Sequence, residues 1–485
     1  MPVSASYRPD PAFAALAPEH ADVVAPARFP RHQLRFRNQR WAEEIGLGEL
    51  DAGEWEAAFA RFEPLPGNLA APLALRYHGV QFGSYNAGLG DGRGFLYAQL
   101  RDRAGRLLDL GTKGSGQTPY SRGFDGRLTL QGGVREILAA ELLEALGVPT
   151  CKILSLYETG EPLRRTDEPS PTRSSVLVRL GHSHVRIGSF QRLAHLGDTA
   201  GLRALVDFCA AHYVPRVDDA VADPALRLMA SVTAASAELC AGWTAAGFVH
   251  GVLNSDNLNV TGESFDYGPW RSLPHFDPDF VAAYFDETGH YAFGRQPAAV
   301  LRNLRHLAEA LAPISDGGEL VAILREFPGA YAAARVAAVL DRLGVGAEGP
   351  ELDGELVDEI LTFAGRTRIA WDQLWFDLRG GPARIDRALA GPNRAVYDSE
   401  AFAFLRALLE PYRPRPGAID HPLWRRAAPP SLVIENVRAI WDAIAERDDW
   451  GPLEAAVADL RELGLALHGR HPIPADDARG AAPAA

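Results

Sequence analysis

The sequence predicts an α+β fold in two lobes, a β-rich N-terminal lobe and a mainly helical C-terminal lobe. Three observations predict it. Residues from about 73 to 190 read as strands and turns around a single helix, and helical apolar periodicity dominates from about 195 onward. One short polar-rich segment, His250 to Tyr267, interrupts the helical half. The division expected is 1–190 for an N-terminal arm and the β-rich lobe, 191–473 for the helical lobe, and 474–485 for a disordered tail.

The elements follow in order. Residues 1–30 are rich in Ala and Pro and read as an extended, partly loose arm. Gly92 to Leu100 reads as a strand with Phe95 and Tyr97 alternating, Asp102 to Gly105 as a turn, and Leu107 to Lys113 as the returning strand. A helix is expected from Gly133 to Leu146, because Val134, Ile137, Leu138, Leu142 and Ala145 keep helical spacing until Gly147 and Pro149 stop it. Ile153 to Tyr157 and Ser174 to Leu180 read as strands. Leu202–Tyr213, Ala225–Ala246, Ala298–Leu311 and Ser431–Ala445 read as helices.

Composition narrows the function classes. The chain has 485 residues, 47% of them hydrophobic, which is enough for a large core. Its formal net charge of −13 argues against general nucleic-acid binding, which needs a basic surface. Apolar runs stay short of the roughly 20 residues of a membrane helix. No secretory leader is apparent, so a cytoplasmic protein, neither membrane- nor nucleic-acid-bound, is expected; the oligomeric state is not readable from the sequence, and a monomer is compatible with it. The 3 cysteines, Cys151, Cys209 and Cys240, form no CxxC and read as buried structural thiols. Only 2 of the 49 Lys and Arg residues are lysines, Lys113 and Lys152. A lysine kept in so arginine-rich a chain points to a place that needs a compact ammonium. Lys113, in Gly111-Thr112-Lys113-Gly114-Ser115-Gly116, suits phosphate, whereas Lys152 lies in an ordinary apolar strand.

Four constellations carry chemistry. Gly88-Leu89-Gly90-Asp91-Gly92-Arg93-Gly94 precedes a strand, and glycines let backbone N–H groups approach a phosphate. By itself this run is equally a hairpin turn, and it is not a Walker A loop. Lys113 on a strand and Glu136 on the next helix have the layout of the ion pair that positions a nucleotide-binding lysine. His250-Gly251-Val252-Leu253-Asn254-Ser255-Asp256-Asn257, followed by Asp266-Tyr267-Gly268, has the spacing of H-R-D-x-x-x-x-N and D-F-G, whose Asn and Asp hold metal. Val252 stands where the usual base would be, and Asp256 supplies a carboxylate beside Asn257. Arg93, Arg179 and Arg186 are candidate phosphate forks among many surface arginines. Together the order of elements and these spacings give a two-lobed, protein-kinase-like fold.

The chain resembles the selenoprotein O family of pseudokinase-fold protein adenylyltransferases. The strings that carry the resemblance are Gln81-Phe82-Gly83, Leu89 to Arg93, Lys113 to Arg122, Asp125-Gly126-Arg127, Arg135-Glu136, Ala145 to Thr150, Arg186 to Phe190, His250 to Asn257, Asp266 to Pro269, Tyr291-Ala292-Phe293 and Gln296-Pro297. The resemblance covers residues 75–312 well. It implies that Gly90, Gly92, Arg93, Lys113, Asp125, Gly126, Arg179 and Arg186 contact ATP, with Glu136 and Asp266 also in the nucleotide site. It further implies that Asn257 and Asp266 hold Mg²⁺ or Mn²⁺ and that Asp256 is the base. ATP would lie inverted relative to kinases, with AMP passing to Ser, Thr or Tyr hydroxyls of protein substrates. This chain departs from the pattern in lacking any cysteine after Cys240, which excludes thiol control from the tail. It also has Tyr77-His78-Gly79-Val80 and Arg302-Asn303-Leu304 where Tyr-Ala-Gly-His and Trp-Asn-Leu are usual.

Three other readings stay open on the sequence. One is a conventional phosphotransferase using Asp256 as a shifted base. Another is UMP transfer on the same fold, and the third is a non-catalytic nucleotide-binding scaffold. The full set Lys113, Glu136, Asn257 and Asp266 argues against the scaffold, which needs no metal ligands.

Overall fold

In the computed structural model, which describes residues 3–166, 169–214 and 222–469, the strands of the main sheet all lie at or before Gly181, with helices between them, and helices predominate after it. The fold is mixed α/β. Its main sheet is eight-stranded and antiparallel. Its long strands are β6 (Leu96–Arg101), β7 (Leu107–Lys113), β9 (Lys152–Leu163) and β10 (Thr172–Gly181), joined by β1 (Ala21–Val23), β2 (Gln33–Arg37), β3 (Leu73–Leu75) and β8 (Leu128–Thr129). The path runs β1-β3-β6-β7-β10-β9-β2, with β8 on β10. A separate two-stranded hairpin, β4 (Gly79–Gln81) and β5 (Ser84–Asn86), stands off this sheet.

The returning strand starts at Leu107 and ends at Lys113 as expected, and the turn before it is closed by Asp102, whose Oδ1 accepts from Arg106 N at 2.9 Å. The preceding strand begins at Leu96 rather than Gly92, because residues 92–95 are part of the glycine loop. The helix of the β-rich part, Leu130–Ala145, starts three residues early: Thr129 caps it by accepting from Gly132 N. The strand read as Ile153–Tyr157 runs on to Leu163, pairing with β10 and β2. The helices Thr199–His212, Pro224–Ala246, Gln296–Leu311 and Ile434–Arg447 match the expected periodic segments within a few residues.

The N-terminal arm is not loose. Tyr7, Phe13 and Phe29 are buried, and Ala21, Asp22 and Val23 pair with Leu75, Ala74 and Leu73. Burial of these aromatic rings holds the arm down. The expected tail, 474–485, lies outside the described residues.

One hydrophobic core runs from the sheet-facing side of Leu130–Ala145 (Val134, Ile137, Leu138) through Pro224–Ala246 (Leu228, Val232, Trp243) to Gln296–Leu311 (Leu304, Leu307). The C-terminal helix Gly451–His468 packs back on Leu130–Ala145 and carries Val457 and Leu460 into the same core. A second core, around Trp371, Phe363 and Phe402, serves the later helices. Lys152 is not an ordinary strand residue: it is buried, its Nζ donates to the Thr150 carbonyl and it lies 5.3 Å from the Trp41 ring.

Candidate active site

Strand pairing brings the cations together. On β7 and β10, Lys113 lies opposite Leu177 and Gly111 opposite Arg179. Lys113 and Arg179 therefore project from one face of adjacent strands. Gly111 has no side chain because His184 fills the space: a Cβ there would lie 1.9 Å from Nε2. That nitrogen accepts from Arg179 Nε at 3.3 Å, while His184 Nδ1 faces Asp109 Oδ2 at the same distance. Asp109 also accepts from Gln99 at 2.7 Å. This buried chain sets the direction in which Arg179 points.

Lys113 and Glu136 form a buried ion pair. The pairing expected from the sequence is present, and it is interior rather than a surface contact. Lys113 also lies 3.2 Å from Asp266 Oδ1. Arg179 binds the same oxygen, and Arg186 binds Oδ2 at 3.0 Å. Burial alone would raise the Asp266 carboxyl, but Arg179, Lys113 and Arg186 overcome it and hold it well below the ordinary range. Asp266 has φ +61°, unusual for a non-glycine residue, and this aims its carboxylate into the cluster.

Arg186 lies between two aromatic faces, 4.7 Å from the Tyr77 ring and 4.8 Å from Phe265. It also reaches Asp91 of the glycine loop, whose Oδ2 accepts from Leu75 N at 3.0 Å. Among the described residues, the buried Nε of Arg186 and Oε2 of Glu136 have no hydrogen-bond partner. Asp91 and Tyr77 were not singled out from the sequence; the only signal for Asp91 was a lone acid inside a glycine run.

The segment after Ala246 follows helix-terminating chemistry. Gly247 caps the helix at φ +66°, and a short strand leads to His250. His250 is buried and kept neutral by burial, and its Nε2 donates to Phe265 O at 2.9 Å. This ties the beginning of the loop to the residue before Asp266. Ser255, Asp256 and Asn257 form one 3₁₀ turn. Asn257 Nδ2 donates to Val252 O at 3.0 Å, which leaves its amide oxygen to accept from elsewhere.

Asp256 is buried and, among the described residues, its Oδ1 has no hydrogen-bond partner. Burial pushes its carboxyl up to about 6, against the pull of Arg186. Gly79 in β4 is what allows this placement, since a Cβ there would lie 2.8 Å from that oxygen. The hairpin is also bonded to the loop: Val80 N donates to Ser255 Oγ at 2.8 Å, and Ser255 in turn donates to Gln191.

The glycine loop has a second occupant. A Cβ on Gly90 would lie 2.3 Å from the Tyr120 ring, and one on Gly92 would lie 2.8 Å from Tyr120 O. These glycines make room for the segment 118–122, which folds over them. Among the described residues, the N–H groups of Gly90, Gly92 and Arg93 meet no backbone acceptor. Arg93 is exposed, and its carbonyl accepts from Gly114 N at 2.7 Å. Asp125 and Gly126 stand apart from the cation cluster. Asp125 pairs with Arg165 at 2.7 Å and lines an open pocket of about 650 Å³ with Gln117, Arg127 and Glu161. Gly126 closes the loop against Gly116, whose oxygen a Cβ would approach to 2.2 Å.

This arrangement can bind a polyanion and deprotonate a neighbouring hydroxyl. Lys113, Arg179, Arg186 and the loop N–H groups supply the positive charge, and Asp256, held next to them by Arg186, supplies a carboxylate oxygen with no hydrogen-bond partner among the described residues. Asp266 and the amide oxygen of Asn257 are hard oxygen donors. They suit a Mg²⁺ or Mn²⁺ ion that takes its remaining ligands from phosphate and water.

Comparison with known proteins places the chain in a family. The family model described as "Protein adenylyltransferase SelO" matches residues 3–461. The chain is 44% identical over 462 residues to a "Protein nucleotidyltransferase YdiU" of Gloeobacter violaceus, covering 93% of this chain and 95% of that one. It is 43% identical over 478 residues to the protein of the same name from Synechococcus elongatus, covering 94% and 95%. With the Alkalilimnicola ehrlichii protein of that name the identity is 36% over 471 residues, covering 94% and 93%. The chain belongs to the SelO family of protein adenylyltransferases.

Proposed function

We propose that this protein transfers AMP from ATP to Ser, Thr or Tyr hydroxyls of other proteins and releases pyrophosphate. The frame is read as kinase-like, with a nucleotide-binding lobe over 1–190 and a helical lobe over 191–473. A cytoplasmic setting remains part of the proposal. The observation that carries the reading is Asp256: a buried carboxylate with an unpartnered oxygen, one residue from Asn257 and beside the Asp266 cluster. The position of an ordinary kinase base is Val252, which has no proton-accepting group.

The residues divide the work as follows. Asp256 takes the proton of the acceptor hydroxyl, whose oxygen then bonds to the α-phosphorus. The bond from the α-phosphorus to the bridging oxygen breaks, and that oxygen leaves with pyrophosphate. Charge grows on the leaving group, so cations belong around the β- and γ-phosphates. Lys113, Arg179 and Arg186 are held ready for that role, with Glu136 fixing the lysine. Gly90, Gly92 and Arg93 offer N–H groups, and Arg93 adds an exposed guanidinium. Asp125 and Gly126 are carried into the nucleotide site only by the family resemblance, since Asp125 pairs with Arg165 away from the cation cluster. Asn257 and Asp266 would hold Mg²⁺ or Mn²⁺, which supplies further charge neutralisation at the phosphates.

The test is paired label transfer. Protein, divalent metal and ATP labelled at the α- or the γ-phosphate are incubated beside Asp256→Ala, with α-labelled UTP in a further arm. Label entering protein from α-ATP alone, and lost with Asp256→Ala, is the expected result. Label from the γ-position would make the protein a kinase, and label mainly from UTP would change the nucleotide.

A further inference from the structure

The tip of the β4–β5 hairpin breaks the rule for its geometry. Gly79, Val80 and Gln81 pair with Asn86, Tyr85 and Ser84, so Phe82 and Gly83 form a two-residue loop. Their φ values are +48° and +81°. Positive φ at both central positions is met by Asn-Gly, Asp-Gly or Gly-Gly, and a bulky side chain at the first position is strained. Burial does not offset this strain, because Phe82 is 41% exposed. A strained residue held at a surface beside a catalytic loop points to function.

Phe82 belongs to a surface drawn from separate segments. Its ring lies 4.9 Å from Tyr291 and 6.0 Å from Phe285, and Phe285 lies 5.2 Å from Tyr284. Phe285 is 47% exposed and Tyr284 80%. The surface is anchored to the loop that carries Asp256. Phe82 N donates to Asn254 Oδ1 at 3.3 Å, and Tyr291 Oη donates to the same oxygen at 2.6 Å. At the other end of the strand, Asp256 Oδ1 occupies the space a side chain at Gly79 would take, 2.8 Å from where its Cβ would lie. The hairpin therefore has its base on the acid and its exposed ring one short strand away.

We propose that Phe82, Tyr284 and Phe285 are the docking surface for the acceptor protein. They seat a large apolar side chain a few residues along the chain from the hydroxyl that is modified. The inference rests on the AMP-transfer reading, because it is that reaction which brings a polypeptide to Asp256. The surface is continuous with the place the acceptor must reach, and its exposed ring faces match an apolar side chain rather than a phosphate.

The experiment uses the full chain, α-labelled ATP and synthetic peptides. Each peptide has one threonine in an Ala/Lys background, with a phenylalanine placed in turn at each of the flanking positions. Parallel sets carry serine or tyrosine as the acceptor. The wild type should prefer phenylalanine at a defined offset, by about tenfold in kcat/KM. Phe82→Asn should abolish that preference, leave the KM for ATP unchanged, and keep or raise the melting temperature because Asn tolerates positive φ. The double variant Tyr284→Ser/Phe285→Ser should lose the preference as well. Equal use of all peptides by the wild type, or a preference that survives in both variants, overturns the proposal. So does labelling of the protein itself with no peptide labelled. Absence of α-label in peptide and enzyme alike would instead defeat the transferase reading beneath it.

Discussion

Arg186 reaches Asp256 through the backbone and not through the carboxylate: its Nη1 donates to the Asp256 carbonyl at 2.7 Å and to Asp266 Oδ2 at 3.0 Å. One guanidinium thus fixes the position of the proposed base while leaving its Oδ1 without a partner. Burial outweighs the pull of the Arg186 charge and leaves the Asp256 carboxyl at about 6.

That value sets an acid limit on activity. A base must be ionised, so kcat/KM should fall about tenfold per pH unit below about 6 and level off above it. Asp256→Asn should lower transfer by about 10²–10⁴-fold. A pH profile of α-label transfer checks both.

The same burial should make Asp256 a stability cost. Its folded pKa lies above the unfolded value, so the folded state binds the proton more tightly and loses stability as pH rises from about 4 to about 6. Asp256→Asn should therefore stabilise the protein at pH 8 by about 2–3 kcal/mol, with a smaller gain at pH 5. Denaturation at the two pH values measures it, and an equal gain at both would contradict the assignment.

Asp266 is the carboxylate shared by Lys113, Arg179 and Arg186. Asp266→Ala should destabilise the protein by about 3–5 kcal/mol, since it leaves buried cations uncompensated. Added pyrophosphate should restore more of the melting temperature in this variant than in the wild type, because an anion can replace the missing charge. Thermal melts with and without pyrophosphate decide it.

The helix that carries Glu136 is held from outside the sheet. Glu141, one and a half turns on, is buried and accepts from Arg461 of the C-terminal helix at 2.8 and 2.6 Å. Arg135 on the same helix donates to Trp270 O at 2.8 Å, just beyond Asp266. Arg461→Ala should cost about 3 kcal/mol and raise the KM for ATP, and Arg461→Lys should recover part of both. Melting curves and initial rates over an ATP series test this.

All three thiols are buried, and burial pushes each of them up. Iodoacetamide at neutral pH should leave both the native protein's mass and its transfer rate unchanged. Alkylation of the folded chain with loss of activity would show that one thiol is accessible.

The sequence by itself determined the mixed α/β class, the order of elements and the segment 250–268, because these depend on local periodicity and on residue types at fixed spacings. Leu107–Lys113 is legible because the turn at 102–105 precedes it and Gly114 follows it, and the Lys113–Glu136 pair because a strand and the next helix pack as neighbours. Only the tertiary structure decided the rest. Asp91 and Tyr77 join Arg186, and His184 and Asp109 aim Arg179, through contacts between residues distant in sequence that no local pattern records. The docked N-terminal arm depends on Phe13 meeting Phe208, with ring centroids 5.5 Å apart, on a helix nearly two hundred residues later. Gly90 reads as a turn glycine in the sequence and Gly79 carries no local signal, but in three dimensions each leaves the space that another side chain, Tyr120 or Asp256 respectively, occupies.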